Sequence, residues 1–525
     1  MENLLIRANI KSSKLIEILC SKSYLKLSLL SFTSIYFLTK LLNFTKEKIR
    51  LRNKKLPPVK KGNFLTKNFF EARKYVMEDN FHLFIKNLNE EHSITRFEVP
   101  VFVKGVSVSD ASAAKDILCD TNRFNRAEVL GDQVFEGLIK KALFMLNGNL
   151  HKKHRKMLQP GFSPSHLKIA FETSKECCHR LFKAFKMKNI KEIDVYDYFK
   201  YISIDVIGKT VFSYDFQLTK DLDIETSKYD SLRQLEKMNV ALQKRALPRF
   251  LWRYYGITVS QMEKEAKGIQ DTVTKVIEHK KEKLQNREPS SIVGKWGMDV
   301  LDRLLENSSE IGEDKEKPFT TEELRDEVLG FYFAGLGTTT DSLSLAVLDI
   351  FSNPRVVKKL REEVDEAFNK KDGFTYENLN NMKYIDCVIK ECQRLHPIAL
   401  LLLKQAVSDT ELHGYFIKKN TLMVINVISM HTDVKYWGAD AEEFKPERWR
   451  NGFVPVPGSY IPFSDGGMNC IAQKLAIIEM KVVLAEMIRT YDINLVPEQD
   501  LRCVVIDGRV GPRNGIKIYF EERNY

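Results

Sequence analysis

Between Phe319 and Pro354 the sequence runs for more than thirty residues without a proline. Thr320-x-x-Glu323 reads as a capping box at its start, with Phe319 and Leu324 placed for the hydrophobic staple across it. The pattern continues to Asn353-Pro354, which predicts a helix of about 32 residues, roughly 48 Å long. Its middle, Val328 to Asp349, is apolar on nearly every face. A helix of that kind either crosses a membrane or forms the buried axis of a large domain. Asp341, Asp349 and the consecutive threonines at 338, 339 and 340 are costly in lipid, so a buried axis is the expectation. Such an axis must be wrapped on all sides, which excludes any small or single-layer fold.

The composition agrees. Of 525 residues, 43% are hydrophobic and 29% charged, which excludes disordered, collagen-like and polytopic membrane chains. The net charge of +12 at first points to an anionic partner. However, residues 1–61 hold fourteen Lys/Arg against three acids, so the remaining chain is only +1. The basicity belongs to an appendage, and nucleic acid drops out as a partner. Within it, Leu27 to Thr39 carries no charge and is flanked by Lys26 and Lys40, whose stems can snorkel toward headgroups. Counted from Tyr24 to Phe44 the stretch approaches the ~20 residues of a bilayer span, although five Ser/Thr weaken it. The basic cluster from Lys46 to Lys55 and Pro57-Pro58 follow. More positive charge after the span than before it predicts a cytosolic body. We expect residues 1–61 to be a membrane anchor helix and linker in the endoplasmic reticulum, with residues 62–525 as the functional domain. A mitochondrial presequence and a tail lying on the membrane surface are the alternatives.

Most of the body reads as helix, exemplified by Asp194 to Ser213. Val101 to Val106 and Leu422 to Val427 read as strands. Glu306 to Lys317 reads as a charged surface loop dividing the chain into two broad regions. The eight cysteines form no C-x-x-C pair, which argues against zinc modules and a disulfide framework. Cys177-Cys178-His179 reads as helix packing rather than a metal site. The acceptor patterns for glycosylation at Asn43 and Asn307 would be idle in a cytosolic body.

The chemistry concentrates near the C-terminus, in Pro462-Phe463-Ser464-Asp465-Gly466-Gly467-Met468-Asn469-Cys470-Ile471-Ala472. A Gly-containing turn there delivers Cys470 to the expected first turn of a helix with Leu475, Ile478 and Val482 on one face. Amide groups and the dipole at a helix start favour a thiolate, which suits a metal ligand. Taken alone, a cysteine so placed is more often a small buried hydrophobe than a ligand.

Other motifs change that balance. The loop resembles the haem-ligating signature of the cytochrome P-450 superfamily, F-x-x-G-x-R-x-C-x-[G/A], with Phe463, Gly466, Cys470 and Ala472 in register and Met468 in place of the usual Arg. Glu391-x-x-Arg394 matches the family's E-x-x-R motif, and Phe444 to Trp449 resembles the segment that supplies the second Arg, here Arg448, of a Glu-Arg-Arg lock. Ala334-Gly335-Leu336-Gly337-Thr338-Thr339 resembles the oxygen-binding A-G-x-[D/E]-T-T, with Gly337 replacing the acid. Gly148-x-x-His151-x-x-x-Arg155 resembles G-x-x-W-x-x-x-R, with His151 replacing Trp. The resemblance covers roughly residues 65 to 520.

It implies a mainly α cytochrome P-450 fold, helix-rich with a smaller sheet-rich part near the N-terminus. It further implies a b-type haem with Cys470 as axial thiolate, a monooxygenase reaction consuming O2, and electrons from NADPH through a separate P-450 reductase. Arg155, Lys404 and His151 are the implied partners of the haem propionates; without Arg at 468, a looser grip on haem is expected. Ala334 and Thr338 would line the oxygen site, Thr338 governing proton transfer. Gly337 leaves the usual acid–alcohol relay without its acid, and Asp341, one turn on, is either its replacement or a helix-packing or ion-pair residue. The apolar segment from Ile398 to Leu403 fits a lipophilic substrate and equally fits ordinary core packing. Rival readings are a haem-thiolate enzyme that rearranges peroxides without a reductase, and a haem-binding sensor without turnover.

Overall fold

The computed structural model describes residues 51–524 apart from 52–53, 63–67, 79, 100–102, 129–134, 136–138, 223–229, 231, 234–258, 286–297, 307–318 and 507–508. The expected anchor stretch and most of the 306–317 loop lie outside the described residues.

The expected axis is present. Helix α5, Thr321–Phe351, is 31 residues long and starts on a capping box in which the Thr320 and Glu323 side chains each reach the other's backbone. Phe319 and Leu324 are fully buried beside it. Before it come α1 (Ala111–Cys119), α2 (Gly148–Leu158), α3 (Pro164–Met187) and α4 (Val195–Phe212). After it come α6 (Pro354–Phe368), α7 (Lys383–Leu395) and α8 (Gln473–Thr490). Helices α4, α6, α7 and α8 and the helix Val259–Gln285 all pack on α5. Gly335 permits the close approach of α4, since a Cβ there would lie 2.2 Å from Ile207 Cδ1. Among the described residues no helix is long and apolar enough to cross a membrane, so the apolar character of α5 serves packing.

Strands β1 (Ile94–Val99), β2 (Val103–Val108), β3 (Phe124–Arg126), β5 (Leu401–Ala406) and β6 (Leu422–Asn426) form one sheet in the order β1-β2-β6-β5-β3. The β2–β6 pairing is parallel and the others antiparallel. The sheet is thus not confined to the N-terminal part; two of its strands follow the E-x-x-R helix. The first expected strand runs on past Val106 to Val108, and the second yields at Val427 to a short helix capped by the Asn426 side chain. Strands β4 (Glu192–Asp194), β7 (Tyr491–Leu495) and β10 (Lys517–Glu522) make a second sheet, and β8 (Cys503–Ile506) with β9 (Arg509–Pro512) an antiparallel hairpin. Residues 51–56 and 411–416 form a separate small unit in which the Phe416 amide donates to the Lys55 carbonyl.

Candidate haem site

The cysteine loop is built by local geometry. Gly466 sits at φ +70°, where L side chains are strained, and a Cβ on it would lie 2.6 Å from the Leu118 carbonyl oxygen of α1. The Cys470 amide then donates to the Phe463 carbonyl at 2.9 Å, closing the loop. Helix α8 begins at Gln473 with Ala472 as its N-cap, so Cys470 precedes the helix instead of occupying its first turn. Its side chain borders open space while protein surrounds it at longer range. That burial raises the thiol pKa, against the Ala472 amide and the Arg155 charge, which favour the thiolate. A bound cation would complete the shift toward thiolate.

Cations gather beside this loop. Arg155, on α2, donates to the Asn469 side-chain oxygen at 2.7 Å and also to its carbonyl. Lys404 is buried, and its Nζ lies 3.3 Å from the Met468 sulfur. Arg126 was not singled out in the sequence, yet it pairs in register with Lys404 across the β3–β5 ladder. Like charges directly opposed across strands repel. Burial and then Arg126 press the Lys404 ammonium down to about 8, and burial with Arg155 presses Arg126 down to about 10. His151 is buried among the three; burial first and then these charges lower it to about 4, so its imidazole is neutral near pH 7.

Among the described residues no carboxylate acts on Arg126, Arg155 or Lys404. Arg126 Nε and His151 Nε2 are buried without a hydrogen-bond partner. Three cations and an orphaned imidazole nitrogen around an accessible thiol match a dianionic group bearing a metal, and the residues fit the propionates and iron of a haem.

On α5, only Ala334 and Thr338 are exposed between Val328 and Asp349; being four residues apart, they share one helix face. The Thr338 hydroxyl donates to the Ala334 carbonyl at 2.8 Å. Gly337 is buried, because the Arg509 guanidinium from β9 fills the space a side chain would take: a Cβ on Gly337 would lie 1.4 Å from Arg509 Nη1. The same Nη1 pairs with Asp341 Oδ2 at 2.9 Å. The residue considered as a substitute acid is therefore held by a cation that the sequence did not bring to attention.

Glu391, Arg394 and Arg448 come together in one buried network. Arg394 meets Glu391 through two bonds of 2.8 and 2.9 Å and reaches the His431, Ala441 and Glu443 carbonyls. Arg448 Nε donates to Glu391 at 3.2 Å and its other nitrogens hold Asp440 and the Trp437 carbonyl. Cys177 and Cys178 are fully buried in the core, while His179 bonds Glu486, consistent with packing.

The family model described as Cytochrome P450 matches residues 57–513. Among curated proteins, the chain is 29% identical to cytochrome P450 3A30 of Fundulus heteroclitus over 78% of this chain and 84% of the relative. It is 29% identical to cytochrome P450 3A13 of Mus musculus over 70% and 72%. It is 28% identical to the putative cytochrome P450 CYP13A7 of Caenorhabditis elegans over 68% and 73%.

Proposed function

Because the chain belongs to the cytochrome P450 family, we propose that it is a membrane-held haem-thiolate monooxygenase acting on a lipophilic substrate, with electrons from NADPH through a separate reductase. The observation that carries this reading is the accessible Cys470 thiol beside three buried or half-buried cations that have no carboxylate partner among the described residues. When bound, a thiolate-ligated haem supplies the activation of O2 and the transfer of one oxygen atom.

The chain's own residues bind, orient and handle protons. Cys470 supplies the thiolate, held in place by the Phe463 carbonyl and the Gly466 turn. Arg126, Arg155 and Lys404 would hold the propionates, and neutral His151 would offer them an N–H donor. Thr338 presents the hydroxyl that passes a proton at Oγ1, its present bond to the Ala334 carbonyl keeping it on the accessible face. The partly buried Ile398, Leu401 and Leu403 favour an apolar substrate. The basic segment at residues 1–61 supports attachment to the cytosolic side of the endoplasmic reticulum membrane.

The test is spectroscopic and then kinetic. Cys470→Ser should lose the reduced-carbonyl spectrum of a thiolate haem, and an unchanged spectrum would sink the assignment. With purified reductase, the wild type should consume NADPH and oxidise a lipophilic compound. Turnover with peroxide alone would instead favour the peroxide-rearranging reading, for which the absence of an acid at Gly337 speaks. Haem binding without any turnover would favour a sensor.

A further inference from the structure

Arg509 joins three elements. Its guanidinium lies against the backbone of α5 at Gly337, its Nη1 pairs with Asp341, and its backbone bridges Ala399 while the next residue, Val510, donates to the Ile398 carbonyl at 3.1 Å. It therefore ties the C-terminal hairpin to the central helix and to the apolar segment after the E-x-x-R helix. On a helical wheel of about 100° per residue, Gly337 lies about 100° and Asp341 about 60° from Thr338. A guanidinium spanning both runs along the flank of the accessible Ala334–Thr338 face. Its side chain keeps 17% of its surface accessible, whereas the Asp341 side chain keeps 3%.

Resting on the haem-site reading above, we infer that Arg509 is a specificity-determining positioning residue, whose side chain occupies the place vacated at Gly337 and fixes the width of the substrate pocket beside Thr338. The glycine and the arginine are a matched pair. A methyl group at 337 cannot coexist with the guanidinium where it stands, because 1.4 Å is far inside contact distance. Asp341 holds the guanidinium in that place, and the guanidinium holds the hairpin. The wall is thus set by a charged pin rather than by apolar packing alone, and it discriminates between small and bulky ligands.

The test uses the full-length, haem-loaded protein and two probes that bind haem iron through a ring nitrogen, imidazole and the bulky clotrimazole. Dissociation constants are read from the shift of the haem spectrum. Arg509→Ala should change the ratio of the two constants in favour of clotrimazole by about tenfold. Gly337→Ala should do the same by expelling the guanidinium, and the double variant should add nothing to either single change. Arg509→Lys, which can still reach Asp341, should restore part of the discrimination. A brace that served only the fold would shift both probes alike. An unchanged ratio in both Arg509→Ala and Gly337→Ala overturns the inference, as do shifts that add in the double variant. Gly337→Ala reaches the same question without removing the ion-pairing side chain, should Arg509→Ala load haem poorly. Absence of a thiolate-haem spectrum in the wild type would overturn the haem-site reading itself, so the two failures are distinguishable.

Discussion

At the scale of single residues, the informative groups are those that make poor sense alone. Arg126 faces Lys404 across a ladder, and the imidazole of His151 is held neutral between them and Arg155. Each arrangement costs free energy in the bare chain and is relieved by an anion. Hydrogen bonds to charged groups are worth about 1.5–3 kcal/mol, so Arg126→Gln or Lys404→Met should speed haem loss to a scavenger protein roughly 10- to 100-fold. Unaltered haem retention would remove the cations from the propionate site. The Cys470 loop was legible because its residues are contiguous and the chemistry of cysteine after a glycine turn is local. Arg126 was not, since its meaning depends on the register of two strands far apart in sequence. Arg509 left no sign except an acid missing at Gly337, and only the fold brings the two together.

At the scale of elements, the start of α5 was readable because a capping box is a local device, whereas the start of α8 was misplaced by about one turn. There the chain first closes the Phe463–Cys470 loop and enters the helix only after Ala472. The lock between α7 and the segment through Arg448 shows what a motif of three residues conceals. Glu391 also accepts from the Lys445 amide at 3.1 Å and the Trp449 indole at 2.9 Å, so one carboxylate organises two arginines and the chain around them. Breaking a buried ion pair by removing one partner costs about 3–5 kcal/mol, because the surviving charges stay desolvated. Glu391→Ala leaves Arg394 fully buried without its carboxylate, while the nearly buried Arg448 keeps Asp440. The variant's unfolding free energy should fall by that order, lowering the denaturation midpoint, and haem incorporation should fail; retention of both would show the network to be dispensable.

At the scale of the whole molecule, the chain divides its physical tasks. The first 61 residues carry +11 of the +12 net charge, and the rest is near neutral. Deleting them should give a body that elutes as a near-neutral protein and no longer sediments with membranes. Continued sedimentation would point to a second membrane-binding surface. Opposed Arg126 and Lys404 repel each other across the sheet, a cost that the proposed propionates would relieve, and a ligand that binds only the folded chain stabilises it in proportion to the logarithm of its concentration. The steady amount of this protein in a cell should therefore report haem supply. Pulse–chase half-lives should lengthen when a haem precursor is added and shorten when haem synthesis is blocked, and this dependence should weaken in Lys404→Met. On the proposed reading, the repulsive pair would act as a quality-control tag that loading the cofactor erases.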